Sequence, residues 1–267
     1  MNQKKLLLNQ YWDCAALFAI YCQKILYVLL VILCFSSKLS AQQGRIWNYP
    51  IQYGTPGWEK FKTFGERINA YNIPDSLLKN MTTKDLVETC MRYPNIILLI
   101  TRDNVQLGYN DLRLMFNGFR ELEIRKDAGG ELIKLYQEIK PEEIVNIKSP
   151  DDRGDFSLKL SFLEILLAQK QILQNLNQEE AIHLFSVSNT VYEKKSSVLK
   201  YYERYGLTTP CLISGRLLDI QEPKLYKQLT LNNPHIHIFL NESIVSEKDD
   251  FGQIVNASKA YLKSKGH

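Results

Sequence analysis

The sequence predicts an all-α protein, in which an array of short antiparallel helices precedes a long αα-hairpin. Apolar residues recur at three- and four-residue steps over most of the chain. Cap residues and prolines interrupt these steps at short intervals, which limits most helices to a few turns. Only residues 235–239 alternate with the two-residue period of a strand. Successive helix pairs are also compatible with a solenoid, although no fixed repeat period is present.

Residues 1–41 have the features of an export signal. Lys24 precedes an apolar run over 25–35, and Leu39-Ser40-Ala41 offers a cleavage site. The apolar run is shorter than the about 20 residues that a membrane-spanning helix needs. We therefore expect a cleaved signal and a protein that is periplasmic, surface-bound or secreted. The alternatives are a retained anchor over 1–41 and a lipoprotein modified at Cys34.

The charge of the chain changes when this segment is removed. The segment holds four lysines against one aspartate, which leaves 29 basic and 28 acidic residues. Such a near-neutral chain gives no electrostatic argument for nucleic acid or an anionic membrane as partner. A membrane role is expected only through residues 1–41, if they are not cleaved.

Two cysteines, Cys90 and Cys211, remain outside the predicted signal. A disulfide is one interpretation, because an exported protein meets an oxidising compartment. The two residues are far apart in sequence, and Cys90 lies on an apolar helical face. Two separate buried thiols are therefore the preferred interpretation.

The remaining chain is expected to divide into an N-terminal multi-helix region over 42–140, a polar linker over 141–155 and a C-terminal helical region over 156–267. The aromatic residues Trp47, Tyr49 and Tyr53 precede the first helix. They are expected to fasten the N-terminus to the core, with a sugar-binding platform as the alternative.

Caps and prolines set the expected helices of the first region. Pro74 opens a short helix over 75–79, and Thr82 caps the helix that ends before Pro94. The apolar run 96–100 is compatible with a buried strand or a helix, and helix is favoured because both neighbours are helical. Asp103 or Asn104 caps the next helix.

The last part of this region holds two more helices. Asn117-Gly118 predicts a break or a kink inside an apolar helical pattern. Asp127 caps a helix that stops before Pro141.

One part of this region resembles a known group of proteins. The segments that carry the resemblance are Ile73-Pro74, residues 81–90, Tyr93-Pro94, residues 116–122 and residues 125–128. Together, over about 72–139, they look like a recurrent motif of exported proteins in Bacteroidetes bacteria. The resemblance implies export and a helical fold, and it brings no catalytic or binding residue with it.

The second region is expected to contain two long helices, over 156–176 and 179–205, that form the αα-hairpin. Leucine, valine and tyrosine recur every seven residues along the second helix, and Gly206 is the expected stop. Shorter helices follow from Thr209-Pro210 and from Pro223. Residues 235–239 predict a short strand or an extended linker, and Asp249 or Asp250 caps a terminal helix.

Few residues suggest catalysis. Cys211 with His183 or His235 is the only pairing of a nucleophile with a base that the sequence offers, and a buried structural thiol is the simpler interpretation. His235 and His237 would share one strand face and hold a metal, but two ligands leave a zinc site incomplete. The tripeptide Arg153-Gly154-Asp155 is read as a helix start rather than an adhesion motif. No phosphate loop, nucleophile elbow or zinc motif is present, and no cofactor is expected.

The sequence therefore predicts an exported, non-enzymatic protein whose helical surface binds another protein or a component of the cell envelope. The alternative is an exported hydrolase that acts on peptide or glycan through Cys211 and His183, or through His235 and His237. A third hypothesis is a helical module separated from its effector domain. An exposed apolar face on 156–176 would favour it, because such a face marks a missing partner.

Overall fold

The structure is a computed structural model that describes residues 46–51, 53–245 and 250–267. The predicted signal over 1–41 lies outside the described residues. All regular structure in the described ranges is helical, with 15 α-helices and three 3₁₀ segments, which confirms the all-α prediction. No helix in these ranges is long and apolar enough to cross a bilayer.

The α-helices in chain order are α1 Pro56–Glu59, α2 Phe64–Tyr71, α3 Asp75–Asn80, α4 Thr83–Met91, α5 Val105–Met115, α6 Asn117–Ile124, α7 Ala128–Glu138, α8 Pro150–Leu167, α9 Lys170–Gln174, α10 Gln178–Ser197, α11 Leu199–Tyr202, α12 Thr208–Gln221, α13 Pro223–Asn232, α14 Pro234–Glu242 and α15 Asp250–Ser264. The 3₁₀ segments are Ile96–Ile100, Pro141–Asn146 and Tyr205–Leu207.

Two of the three N-terminal aromatics, Trp47 and Tyr49, fasten the chain to the core as the sequence predicted, whereas Tyr53 is 87 % exposed. The Trp47 indole donates a hydrogen bond to the Tyr71 carbonyl at 3.0 Å, and the Tyr49 hydroxyl donates to the Thr89 carbonyl at 2.9 Å. The Tyr49 ring also meets those of Tyr71 and Tyr93 at 5.7 and 5.9 Å. These contacts bury apolar surface while giving both polar tips a partner.

Side-chain caps begin several helices where the sequence placed them. The Thr82 hydroxyl accepts from the Asp85 amide at 3.1 Å, and the Asn104 side chain accepts from the Leu107 amide at 3.0 Å. Asn177 also begins α10 with a full capping box, although the sequence did not predict this cap. Each cap satisfies an amide that the helix leaves unpaired, so the local sequence determines the helix start.

The break predicted at Asn117-Gly118 separates α5 from α6. The Asn117 side chain accepts from the Ile73 amide at 2.9 Å and donates to the Ile73 carbonyl at 2.8 Å. The Asn117 amide in turn donates to the Asn72 side chain at 2.9 Å. The new helix start is thereby joined to the loop that precedes α3.

The stretch expected to be a polar linker is mostly helical. Pro141 and Ile144 are buried in the 3₁₀ segment Pro141–Asn146, and α8 begins at Pro150 with Ser149 as its cap. One continuous hydrophobic core includes residues from both sides of this stretch. The sequence of this stretch is rich in charged and turn-forming residues and therefore predicts a linker, whereas Pro141 and Ile144 are enough to anchor it to the core.

The two long helices are present but end earlier than expected. α8 stops at Leu167 rather than Leu176, and α10 stops at Ser197 rather than Tyr205. Gly206 lies in a 3₁₀ segment and does not end a long helix. Helix α12 packs against both α8 and α10, and its residues 208–215 are all buried, so it is the central helix of the second half.

The expectation of a strand over 235–239 was wrong. These residues form helix α14, in which Ile236, Phe239 and Leu240 are buried at helical spacing. Pro234 occupies the first turn, and the Asn233 side chain accepts from the His235 amide at 3.1 Å. Pro234 and Asn233 favour a helix start at this point. A single strand over 235–239 would have no neighbouring strand to satisfy its backbone amides and carbonyls, so the short two-residue alternation does not determine the structure.

Candidate binding cleft

The structure separates the predicted nucleophile from its predicted base. Cys211 is completely buried in α12, where burial raises the pKa of its thiol well above the ordinary value. His183 is exposed on α10, with Nε2 2.7 Å from the Gln137 side-chain oxygen. Substrate has no access to Cys211, and His183 is engaged elsewhere. Cys90 is also buried, and both thiols are free, which confirms the preferred interpretation of two separate cysteines.

The two histidines expected to share a strand face lie on helix α14. Residues two apart on a helix point about 200° from each other, since each residue turns by about 100°. The His237 ring lies 3.1 Å from the Tyr226 hydroxyl and is also approached by the Asn241 side chain. Within the described ranges, no three or more histidine, cysteine or acidic residues are grouped as a metal site.

An open cleft lies between the N-terminal half of α8 and the chain segment 200–206. It has a volume of about 560 Å³. We call it the tyrosine cleft, and its lining residues are Ile100, Pro150, Arg153, Gly154, Ser157, Leu158, Ser161, Lys200, Tyr201, Tyr202, Tyr205 and Gly206. The volume falls within the range of about 300–1,000 Å³ that is typical of small-ligand pockets.

Two cations flank one tyrosine of this cleft. The guanidinium carbon of Arg153 lies 5.6 Å from the centre of the Tyr201 ring, and the ammonium of Lys200 lies 4.7 Å from it. Both are within the range of an attractive cation–π contact. The lining contains these two cations and no aspartate or glutamate, although the exposed Glu203 lies in the segment 200–206 that forms one wall.

The main chain holds Arg153 in position. Its Nη1 donates to the carbonyl oxygens of Ile147 and Lys148, at 2.9 and 3.2 Å. These bonds fix the side chain against the turn that precedes α8. The arginine of the Arg153-Gly154-Asp155 tripeptide is therefore part of the cleft wall, and it is presented from a helix rather than from a loop tip.

The opposite wall is attached to the protein interior. The Tyr202 hydroxyl donates to the Pro141 carbonyl at 2.8 Å. The buried ammonium of Lys195 donates to the Gly206 carbonyl at 2.9 Å and lies 5.2 Å from the Tyr202 ring centre. A β-carbon on Gly206 would stand 2.8 Å from that of Tyr202, so this close approach requires glycine.

Beneath the wall lies a fully buried ion pair. Lys195 and Glu164 have no solvent-accessible side-chain surface, and their charged atoms are 2.6 Å apart. The Tyr136 hydroxyl donates to the second carboxylate oxygen at 2.9 Å, and the Thr209 hydroxyl donates to the oxygen that Lys195 contacts. Every charge in this network has a partner, which a buried pair needs in order to be tolerated.

Burial dominates the protonation behaviour around the pair. It lowers the pKa of Lys195, and the neighbouring Glu164 carboxylate opposes that change. It raises the pKa of Tyr136 well above the ordinary value, and the Glu164 charge adds to the effect. Both directions follow from the cost of placing charge in a medium of low polarity.

The turn between the walls has an unusual backbone. Glu203 follows α11 with φ 52° and ψ −170°, a conformation that residues with a β-carbon rarely adopt. Such strain persists where the surrounding contacts fix the chain, and here Tyr202 and Gly206 on either side are both held from the interior.

Sequence reasoning missed the residues that form the cleft and its support. The sequence pattern places the tyrosines at 201, 202 and 205 within a long helix and gives no reason to single out Glu164. One signal was available, because Glu164 interrupts an otherwise apolar run in α8. A lone acid in such a run needs a buried partner. Nothing in the local sequence identifies that partner as Lys195.

Comparison with protein-family models, with curated proteins and with solved structures finds no match to this chain.

Proposed function

We propose that this protein is an exported, non-enzymatic binding protein that holds another protein or an envelope component in the tyrosine cleft. The observation that carries the proposal is the pairing of Arg153 and Lys200 around Tyr201 in an open cleft without acidic residues. Arginine and tyrosine are the residue types most often responsible for binding energy at interfaces.

The support beneath the cleft also favours binding. Tyr202 and Gly206 are fixed by Pro141 and Lys195, and Arg153 is fixed by two carbonyl oxygens. A partner would therefore meet side chains that are already ordered. Less conformational entropy is lost on binding to such a surface.

The hydrolase alternative has less support. Its nucleophile, Cys211, is enclosed in the core, and its base, His183, is bonded to Gln137 at the surface. The hypothesis of a separated effector domain also has less support, since it needs an exposed apolar face on 156–176. Residues 160–169 are all buried, and the partly buried Phe156 and Leu158 pack against the core.

The proposal that the protein is exported rests on the sequence of residues 1–41 and on the resemblance described above. The N-terminal residue of the protein isolated from its own cells tests this part independently. A mature protein that begins at Gln42 is expected, and a protein retained in the cytoplasm with Met1 intact would contradict export.

Capture from a solubilised envelope fraction tests the binding proposal. The bait is the wild-type protein, the double variant Arg153→Ala/Lys200→Ala, or Lys263→Ala as a matched control at an exposed lysine outside the cleft. We expect a component that binds the wild type and Lys263→Ala but not the double variant. That component is then purified and its binding repeated with the two isolated molecules. No component with this dependence would contradict the proposal.

A further inference from the structure

We infer that the tyrosine cleft binds a peptide segment in which a carboxylate stands next to an apolar side chain. The carboxylate would pair with Arg153 and lie near Lys200 beside the Tyr201 ring, and the apolar side chain would contact Ile100 and Tyr205. This inference rests on the proposed function and specifies the class of partner.

The first step concerns charge. Arg153 and Lys200 both contact the Tyr201 ring, so their charges can be no further apart than the sum of 5.6 and 4.7 Å. Neither side chain takes part in an ion pair within the described ranges. An anionic group beside the Tyr201 ring would therefore be attracted by both cations, and no carboxylate of the lining would oppose it.

The second step concerns hydrogen-bond geometry. Only Nη1 of Arg153 is occupied, by the carbonyl oxygens of Ile147 and Lys148. Its Nε and Nη2 have no hydrogen-bond partner among the described residues, and neither is a buried unsatisfied donor. These two adjacent donors form the edge of the guanidinium that matches the two oxygens of a carboxylate.

The third step concerns the rest of the lining. Ile100 and Tyr205 are each 47 % exposed at the rim, although both are large apolar side chains. Exposed apolar groups beside a fixed cation favour a ligand that combines an acid with an aliphatic or aromatic group.

A peptide fits this lining better than a glycan does. Recognition of a sugar requires acceptors for its hydroxyl groups, which are commonly side chains of Asp, Glu, Asn or Gln. The lining contains none of these four residue types. Its polar side chains are the cations, serines and tyrosines, so most sugar hydroxyls would lose their water without gaining an acceptor.

The test begins with a phage-displayed library of seven-residue random peptides, selected on the wild-type protein. We expect enrichment of sequences that place Asp or Glu beside Leu, Ile or Phe. The most enriched peptide is then synthesised with a fluorophore and titrated by fluorescence anisotropy against the wild type and the variants.

Arg153→Ala and Lys200→Ala are each expected to weaken binding of that peptide by about tenfold or more, as loss of one partner of a close charge pair does. Arg153→Lys keeps the charge but removes the two-pronged donor, so we expect an intermediate loss. Lys263→Ala is expected to leave binding unchanged. Lys200 is exposed and makes no ion pair, so its replacement by alanine keeps the fold and makes the result interpretable.

Three results would overturn the inference. The first is that the selected peptides show no preference for an acidic residue. The second is that these peptides bind Lys200→Ala with the same affinity as the wild type. The third is binding of polygalacturonate, used as an acidic-glycan probe, that depends on Arg153 and Lys200 while no peptide is selected. In that last case a cleft-dependent partner in the envelope capture would still support the proposed function, so the two failures are distinguishable.

Discussion

Replacement of Lys195 by methionine is the most informative perturbation of this fold. The ammonium of Lys195 contacts Glu164 at 2.6 Å and the Gly206 carbonyl at 2.9 Å, and neither charged side chain is accessible to water. Methionine has a similar length and is tolerated in irregular interiors. The substitution therefore removes the positive charge and the two hydrogen bonds with little change in volume.

The expected cost is about 3–5 kcal/mol, because Glu164 would remain buried without its counter-charge. The hydroxyls of Tyr136 and Thr209 would still donate to that carboxylate, which keeps the loss toward the lower end of this range. Proteins of this kind have a total unfolding free energy of about 5–15 kcal/mol, so the loss would be a large fraction of it.

Urea unfolding followed by circular dichroism measures the loss. The double variant Lys195→Met/Glu164→Gln is expected to recover at least about 2 kcal/mol, since a neutral amide no longer needs a counter-charge. Lys259→Met is the control, because it breaks a partly exposed pair with Glu193, 2.5 Å apart, that is worth about 1 kcal/mol or less. If Lys195→Met cost no more than Lys259→Met, or if the double variant were as unstable as the single one, the buried Glu164 charge would not need Lys195 as its counter-charge.

Three further predictions use the same unfolding assay. Gly108→Ala is expected to cost about 3 kcal/mol or more of unfolding free energy, because its β-carbon would lie 2.1 Å from the Leu99 carbonyl oxygen. Gly252→Ala is the control, because its β-carbon would meet open space, and it should stabilise the protein by about 0.5–1 kcal/mol. Equal effects of the two substitutions would contradict the packing of α5. Asn117→Ala is expected to cost about 2 kcal/mol through loss of its two bonds to Ile73, and a cost near zero would contradict that junction. Stability is expected to fall above about pH 9. The unfolded chain ionises near the ordinary pKa values of 9.0 for cysteine and 10.0 for tyrosine, whereas burial in the folded protein raises the pKa of Tyr93, Tyr109, Tyr136, Cys90 and Cys211 and keeps them protonated. The lowered pKa of Lys195 acts in the opposite direction but is a single group, and a urea midpoint that is constant from pH 7.5 to 10.5 would contradict the burial of the five residues.

The local sequence predicted most of the helix starts. Thr82 and Asn104 each cap the helix that follows, as predicted, because a side-chain oxygen near the first amides is a short-range feature. The break at Asn117 and the core face around Cys90 were predictable for the same reason. The signal in each case is local: a cap residue, the Asn-Gly pair or apolar residues on one helical face, although the bonds that Asn117 makes are to Asn72 and Ile73, more than 40 residues away.

Longer-range features were not predictable from local patterns. Glu164 and Lys195 are 31 residues apart, and only the packing of α8, α10 and α12 brings them together. The ends of α8 and α10 depend on that packing too, so the heptad pattern over 179–205 overestimated the length of α10. The tyrosine cleft combines residues from Ile100, α8 and the segment 200–206, and no single stretch of sequence contains that combination.

Site-specific photo-cross-linking in the native cells shows whether a partner occupies the tyrosine cleft. p-Benzoylphenylalanine replaces Ile100, an exposed rim residue of the tyrosine cleft, or Lys263 as an exposed control outside it. We expect one discrete covalent adduct from position 100, lost when Arg153→Ala/Lys200→Ala is added, and no such adduct from position 263. The same adducts from both positions, or an adduct that persists without the two cations, would contradict the claim that this cleft is the binding site.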